Sequence, residues 1–209
     1  MKPISEAIKE VKKNSKGNFD ETVELHINLN LDIKQSDQIF RSTVTLPFGT
    51  GKTVKVAVLA NKKINKADLV LSESDIHKLE KGEIQPGRDF DVLVVEPSFM
   101  PKMAKLGPVL GPAGVMPNPK TGTVTENVEE AVESFKKGKI EIKNEPNAPI
   151  IHTIIGKCSF EDAKLVENYK EIMTALKQNK PQKAKPDWIK SAFLATTMGK
   201  SVELKLAEE

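Results

Sequence analysis

The residues most suggestive of chemistry are Gly49-Thr50-Gly51-Lys52-Thr53, because Gly-Lys-Thr closes a phosphate-binding loop. Such a loop cradles phosphates with backbone N–H groups at a helix N-terminus, and it needs an earlier glycine after a strand. Here Leu46 and Pro47 stand where that glycine belongs, and Thr53 runs into Val54-Lys55-Val56, a strand pattern. An ordinary turn between domains accounts for the segment, and a nucleotide-binding enzyme built on it is the weaker alternative. Gly107, Gly111 and Gly114 are spaced four and three apart, so the G-x-G-x-x-G dinucleotide fingerprint is absent. His26, His77 and His152 are scattered, and one cysteine, Cys158, builds neither a zinc site nor, without an arranged histidine, a nucleophile. No catalytic constellation emerges, and the expectation is a non-enzyme without cofactor or metal.

A second group of residues suits phosphates and sugars. The outer face of the stretch Glu21 to Asn30, the lysine-rich segment Gln178 to Lys185 and the turn ATTMGKS offer hydroxyls, lysines and a glycine backbone. A solvated face with a hairpin turn explains the same residues, and both readings stand at this point. With eight Phe, one Tyr and one Trp, base stacking is not the main expectation; shape and ribose recognition of folded RNA fits better. The net charge of +3 is too small to decide, so the placement of the lysines matters more than their number.

The elements that would position these groups are legible in the periodicity. Pro3 to Lys13 carries Ile4, Ala7, Ile8 and Val11 at helical spacing. From Glu21 to Asn30 the pattern is strictly alternating, with Val23, Leu25, Ile27 and Leu29 on one face and Thr22, Glu24, His26 and Asn28 on the other. A strand at Arg41 to Leu46 precedes the break at Pro47, Gly49 and Gly51. Val54 to Ala60 and Asp91 to Val95 are apolar runs of the type buried on both faces of a parallel sheet. Helices are expected over Asp75 to Lys81, Ser98 to Lys105 and Asn127 to Lys137, then a strand over Lys139 to Lys143. After the second break at Asn144 to Pro149 come a strand over Ile150 to Ile155 and a long helix, for which Ser159 and Asp162 resemble a capping pair. Two last strands run over Asp187 to Thr197 and Ser201 to Leu206.

The stretch Leu106 to Thr125 holds four Gly and four Pro, which excludes a strand or helix through it. Its spaced Leu106, Val109, Leu110, Val115 and Met116 predict an ordered loop packed on its own domain, with Lys105 and Lys120 left outside. Neither chain end alone has the elements to close a core. The expected fold is therefore an α+β outer domain from residues 1–49 and 147–209, interrupted by an inserted three-layer α/β, Rossmann-like domain at 50–146. The first ten residues, MKPISEAIKE, lack a signal peptide's apolar core, and no apolar run is long enough to cross a membrane. With a single cysteine, these features predict a cytoplasmic protein.

Three stretches together resemble the large-subunit ribosomal protein L-one family of the bacterial type. They are FDETVELHINLNLDIKQSDQIFRSTVTLPFGTGK from Phe19 to Lys52, LGPVLGPAGVMPNPKTGTVT, and the pair GKCSF with SAFLATTMGKSV. The resemblance implies two domains, one inserted in the other. It implies binding of a folded segment of large-subunit ribosomal RNA (rRNA) to form the mobile stalk beside the exit site, help in releasing deacylated exit-site tRNA, and repression of the protein's own mRNA as a second role. It implies RNA contacts at Phe19, Thr22, Glu24, His152, Lys157, Ser191, Thr196, Thr197, Met198 and Gly199, in a protein that is monomeric when free of the ribosome, and the Gly/Pro loop is then expected to face tRNA through Lys105 and Lys120. The chain departs from the family pattern at Asn18, Ala113 and Lys200, where lysine, arginine and proline are common. It also lacks the longer basic arm usual before Pro3, and the region Asn61 to Ser74 is expected to be shortened.

Overall fold

A computed structural model describes the chain except residues 34–37, 61–63, 65, 182 and 207–209. Part of the region expected to be shortened therefore lies outside the described residues. The chain mixes helix and strand and divides into two compact units, Met1–Gly51 with Ile140–Glu209, and Lys52–Lys139.

In the first unit, helix α1 (Ile4–Lys13) is followed by β1 (Thr22–Leu29) and β2 (Arg41–Thr45). The alternation of β1 is realised in full: each odd residue from Val23 to Leu29 is buried and each even one half-exposed. β1 is flanked by two antiparallel partners, β7 (Ile150–Lys157) and β8 (Ile189–Thr196), and β9 (Val202–Leu204) adds to the far side of β8, giving the order β7-β1-β8-β9. The inner face packs on α1 and on the long helix α6 (Asp162–Gln178), through Ala7, Ile8, Val11, Leu165, Ile172 and Leu176. Burial of these side chains, at about 1.5–3 kcal/mol each, closes the core that neither chain end could close alone.

One buried polar group lies on the apolar stripe of α6. Asn168 donates to the carbonyls of Gly49 (3.0 Å) and Ile155 (2.8 Å) and accepts from the amide of Phe48 (3.3 Å). It thus ties the turn after β2 to β7 and satisfies backbone groups that would otherwise be stranded.

In the second unit, β3 (Val56–Leu59) lies between β4 (Leu69–Leu71) and β5 (Val92–Val95), all parallel. All four residues of β3 are buried, as the apolar run predicts. One face packs on α2 (Ile76–Glu80), α3 (Met100–Met103) and α4 (Gly107–Leu110), and the other on α5 (Val128–Lys136). Among the described residues no helix is long and apolar enough to cross a membrane.

Four local expectations differ from the structure. The Gly/Pro stretch is not free of helix: α4 runs through it, and Pro119–Thr121 forms a 3-10 turn. Pro108 sits in the first turn of α4, where its missing N–H costs nothing. The stretch nevertheless packs as expected, with Leu106 and Leu110 buried and Val115 and Met116 against the same core. Strand β4 was not legible, since Leu69-Val70-Leu71 is too short to show a period. The strand β6 (Lys139–Lys143) pairs with β2, so the chain re-enters the first unit at Ile140, ahead of the expected crossing at residue 147. Ile142 is buried with Val44 and Leu46, and Arg41 pairs with Glu141, which fixes that register. Finally, Ser159 does not cap α6, whose N-cap is Glu161 without a side-chain bond. Its amide and hydroxyl instead reach the Asp20 carboxylate at 3.0 and 2.7 Å.

Candidate nucleic-acid interface

The Phe-Asp-Glu sequence ahead of β1 divides its labour. Glu21 has the inward parity of the strand and is fully buried, an expensive place for a carboxylate unless it is hydrogen-bonded. One carboxylate oxygen accepts from the Ser15 hydroxyl (2.7 Å), the Lys16 amide (2.8 Å) and the Gly17 amide; the other accepts from the Met198 amide at 3.0 Å. The Ser15 bond is the largest cause holding this carboxyl down at about 2; burial opposes it, and the Met198 and Gly17 amides add to it. Glu21 therefore fastens the loop before β1 to the turn after β8. Asp20 fastens the same loop to Ser159. Between these two anchors Phe19 is left 57% exposed, and across the turn Met198 is 63% exposed.

The rim around the two exposed side chains is polar. Thr197 is bonded reciprocally to Thr22: its hydroxyl accepts from the Thr22 amide (3.1 Å), and its own amide donates to the Thr22 carbonyl (3.1 Å). The Lys157 ammonium donates to the Thr22 hydroxyl (2.9 Å) and the Asp20 carbonyl (3.2 Å). The structure thus brings Phe19, Thr22, Lys157, Thr197 and Met198 into one cluster at one end of the sheet. Glu24 follows on the same face, with a carboxylate oxygen 3.7 Å from Nε2 of His26.

His152 stands opposite His26 in the β1–β7 register, their Nδ1 atoms 2.8 Å apart and their rings edge to face. Such a contact requires one ring to donate and the other to accept. Burial, aided by His152, pushes the pKa of His26 down against the pull of Glu24, which favours the neutral form. Ser191 shares the face but accepts from the Asn28 amide group (2.9 Å), about 20 Å along β1 from Thr22 at the usual strand rise. The lysine-rich segment leads into β8 beside Asn30, whose amide bonds the Trp188 carbonyl, at the end of the sheet remote from Met198. It does not join the cluster, and Gln182 within it lies outside the described residues.

Two of the expected contact residues have a different geometry from the rest. Thr196 is 3% exposed and points inward, so its side chain does not reach the surface. Gly199 does not adopt a left-handed backbone; it is small because a Cβ there would lie 2.2 Å from the Thr196 hydroxyl oxygen. Thr196 supports the turn from within, and the half-buried Gly199 lets the backbone approach it closely. Gly17 is held to glycine in a similar way, since a Cβ would meet the Glu21 carboxylate and the Phe19 ring, each at 2.8 Å.

Sequence reasoning missed Glu21, Asp20, Ser15 and Asn168 as determinants of the site. A signal existed for Glu21: it occupies a core-facing position of a strict alternation, where an unpaired carboxylate is nearly excluded. In the second unit Lys105 and Lys120 are exposed. There too Lys52, the phosphate-loop candidate, is paired with Asp91 at 2.6 Å, and its segment leads into strand β3 rather than a helix. Among the described residues no group of histidine, cysteine or carboxylate side chains could hold a metal ion.

The model of the Ribosomal protein L1p/L10e family matches residues 11–200. Large ribosomal subunit protein uL1 of Prochlorococcus marinus (strain NATL1A) is 46% identical over 209 residues, spanning 97% of this chain and 87% of the relative. The protein of the same name from Phytoplasma australiense is 48% identical over 208 residues, spanning 97% and 89%. That from Mesoplasma florum is 45% identical, spanning 97% and 90%.

Proposed function

This chain belongs to the Ribosomal protein L1p/L10e family, a family of ribosomal proteins and not of enzymes, and on that premise we propose that it is a constituent of the large ribosomal subunit in the cytoplasm, binding rRNA through the open face of its first unit. The observation that carries this reading is the pair of exposed side chains, Phe19 and Met198, on the loop and the turn that the buried carboxylate of Glu21 joins. Exposed apolar surface rimmed by polar residues marks an interaction surface. Here they are ringed by hydroxyls and an ammonium suited to ribose and phosphate.

In this proposal Phe19 and Met198 pack on the RNA, and Thr22, Thr197 and Lys157 bond its sugars and phosphates. Glu24, His152 and Ser191 extend the footprint along the sheet, with Glu24 accepting from ribose hydroxyls or base amines. Thr196 and Gly199 act by setting the turn. The second unit, Lys52–Lys139, folds as an inserted domain and carries Lys105 and Lys120 toward exit-site tRNA, so that the protein forms the mobile stalk and assists the release of deacylated tRNA. The same surface binds a similar structure in the protein's own mRNA and represses its translation, and the free protein is a monomer.

The test is filter binding of the full chain to large-subunit rRNA. Thr197→Ala and Met198→Ala each weaken binding about tenfold, and the affinity falls as salt rises because bound lysines displace counterions. Affinity equal to wild type in both variants would remove the turn from the interface.

A further inference from the structure

A surface groove on the first unit lies apart from the Phe19–Met198 cluster, at the opposite end of β8, where Ser191 is the nearest of the proposed RNA contacts. It has a volume of about 810 Å³ and runs between the outer edge of α6 and the start of β8. Its floor is apolar: Tyr169 and Met173, one helical turn apart, with Trp188 and Leu206. The rim carries Lys170 and Lys177 on the helix and Lys180 just beyond it, against one carboxylate among the described residues, Asp187. Among the described residues Lys170 and Lys180 have no carboxylate partner, whereas Lys164 on the same helix pairs with Glu161. The Tyr169 hydroxyl likewise has no hydrogen-bond partner among the described residues, and burial pushes its pKa up, so it stays a neutral donor.

We propose that this groove docks a short acidic, amphipathic segment of a partner protein. The apolar side chains of such a segment would fill the floor between Met173 and Leu206, its carboxylates would pair with Lys170 and Lys180, and a carbonyl would accept from Tyr169. Charge complementarity selects the sign of the partner, since among the described residues Lys170 and Lys180 have no carboxylate partner and Asp187 is the one acidic lining residue. The floor favours a peptide over RNA: Trp188 is 4% exposed and tilted against Phe40, so its ring face is not open to a base, Met173 and Leu206 offer ribose no hydrogen bond, and Tyr169 is left as the single described floor ring for a base to stack on, too few for a stacking track. The volume is in the range of sites that enclose a few side chains.

Trp188 is the only tryptophan in the chain and reports on the groove directly. The full-length protein is titrated, with Trp188 emission as the readout, against a twelve-residue acetylated peptide of repeating Leu-Leu-Glu-Glu, against the same peptide with Lys for Glu, and against a twelve-nucleotide oligouridine. The acidic peptide gives a saturable change with a Kd of about 10–100 μM, the range of a single short docking segment. Lys170→Glu weakens it about tenfold or more at unchanged Tm, and neither control ligand saturates. Met173→Ser, which spares the charge, weakens it as well. Absence of saturation with the acidic peptide overturns the proposal. Equal binding of the lysine peptide does so too, as non-specific apolar adhesion, and displacement by oligouridine does so by making the groove an RNA surface.

Discussion

Replacing Gly199 by alanine tests the construction of the exposed turn most directly. The added Cβ would lie 2.2 Å from the Thr196 hydroxyl oxygen and 3.3 Å from the Asn14 carbonyl oxygen, where real Cβ contacts do not fall below 3.0 Å. With the buried Thr196 side chain held where it is, the turn moves by about 0.8 Å, the shortfall from 3.0 Å. The Met198 amide is 3.0 Å from the Glu21 carboxylate, and a shift of that size takes it beyond hydrogen-bonding range. Overpacking of this kind costs about 1–3 kcal/mol, readable as a lower urea midpoint at unchanged m. Thr196→Ala removes the clashing oxygen and leaves the new methyl in ordinary contact with the Cβ at 3.5 Å. A double-mutant cycle should then show a favourable coupling of about 0.5 kcal/mol or more, with rRNA affinity partly restored in the double variant. A Gly199→Ala protein with wild-type stability and affinity, or a cycle without coupling, would refute the close-packing account of the turn.

Two other outcomes follow from buried groups. Asn168→Leu strands the Phe48 amide and the Gly49 and Ile155 carbonyls, at a cost of about 2–5 kcal/mol in urea unfolding; a loss under about 1 kcal/mol would show that other groups satisfy them. Because the Glu21 carboxyl is lowered from an ordinary 4.5 to about 2, its stabilising effect is complete above pH 4.5 and is lost as pH falls toward 2. The gap in Tm between wild type and Glu21→Gln is thus widest at neutral pH and closes through that window, and a pH-independent gap would contradict the assignment.

Local pattern carried a large part of the architecture. The alternation from Val23 to Leu29 dictated which face of β1 is buried, because successive side chains of a strand point to opposite sides. The apolar runs at Val56 and Val92 dictated a sheet covered on both faces. The motifs at Phe19, at the Gly/Pro loop and at Met198 identified the family. Each of these signals depends on neighbours a few residues apart, which is the range over which sterics and burial parity act.

What only the tertiary structure decided are pairings between distant positions. Glu21 and Met198, 177 residues apart, meet because β1 and β8 are neighbours in the sheet, and only then does an acidic residue at an inward position become a clamp. The pairing of β6 with β2 moved the second crossing, since Ile142 finds its burial beside Val44 and not in the segment that precedes it. Ser159 left the helix cap for Asp20, a competition between two acceptors that local sequence cannot weigh. Thr196, which the family resemblance implies as an RNA contact, lies 3% exposed beneath the turn, where its hydroxyl leaves room at position 199 only for glycine. The sequence by itself determined the long strands and helices, whose periods run over enough residues to show, but not the three-residue β4 or the short helix α4 inside the Gly/Pro stretch. The packed structure determined which of the motif's side chains face outward and which hold them there.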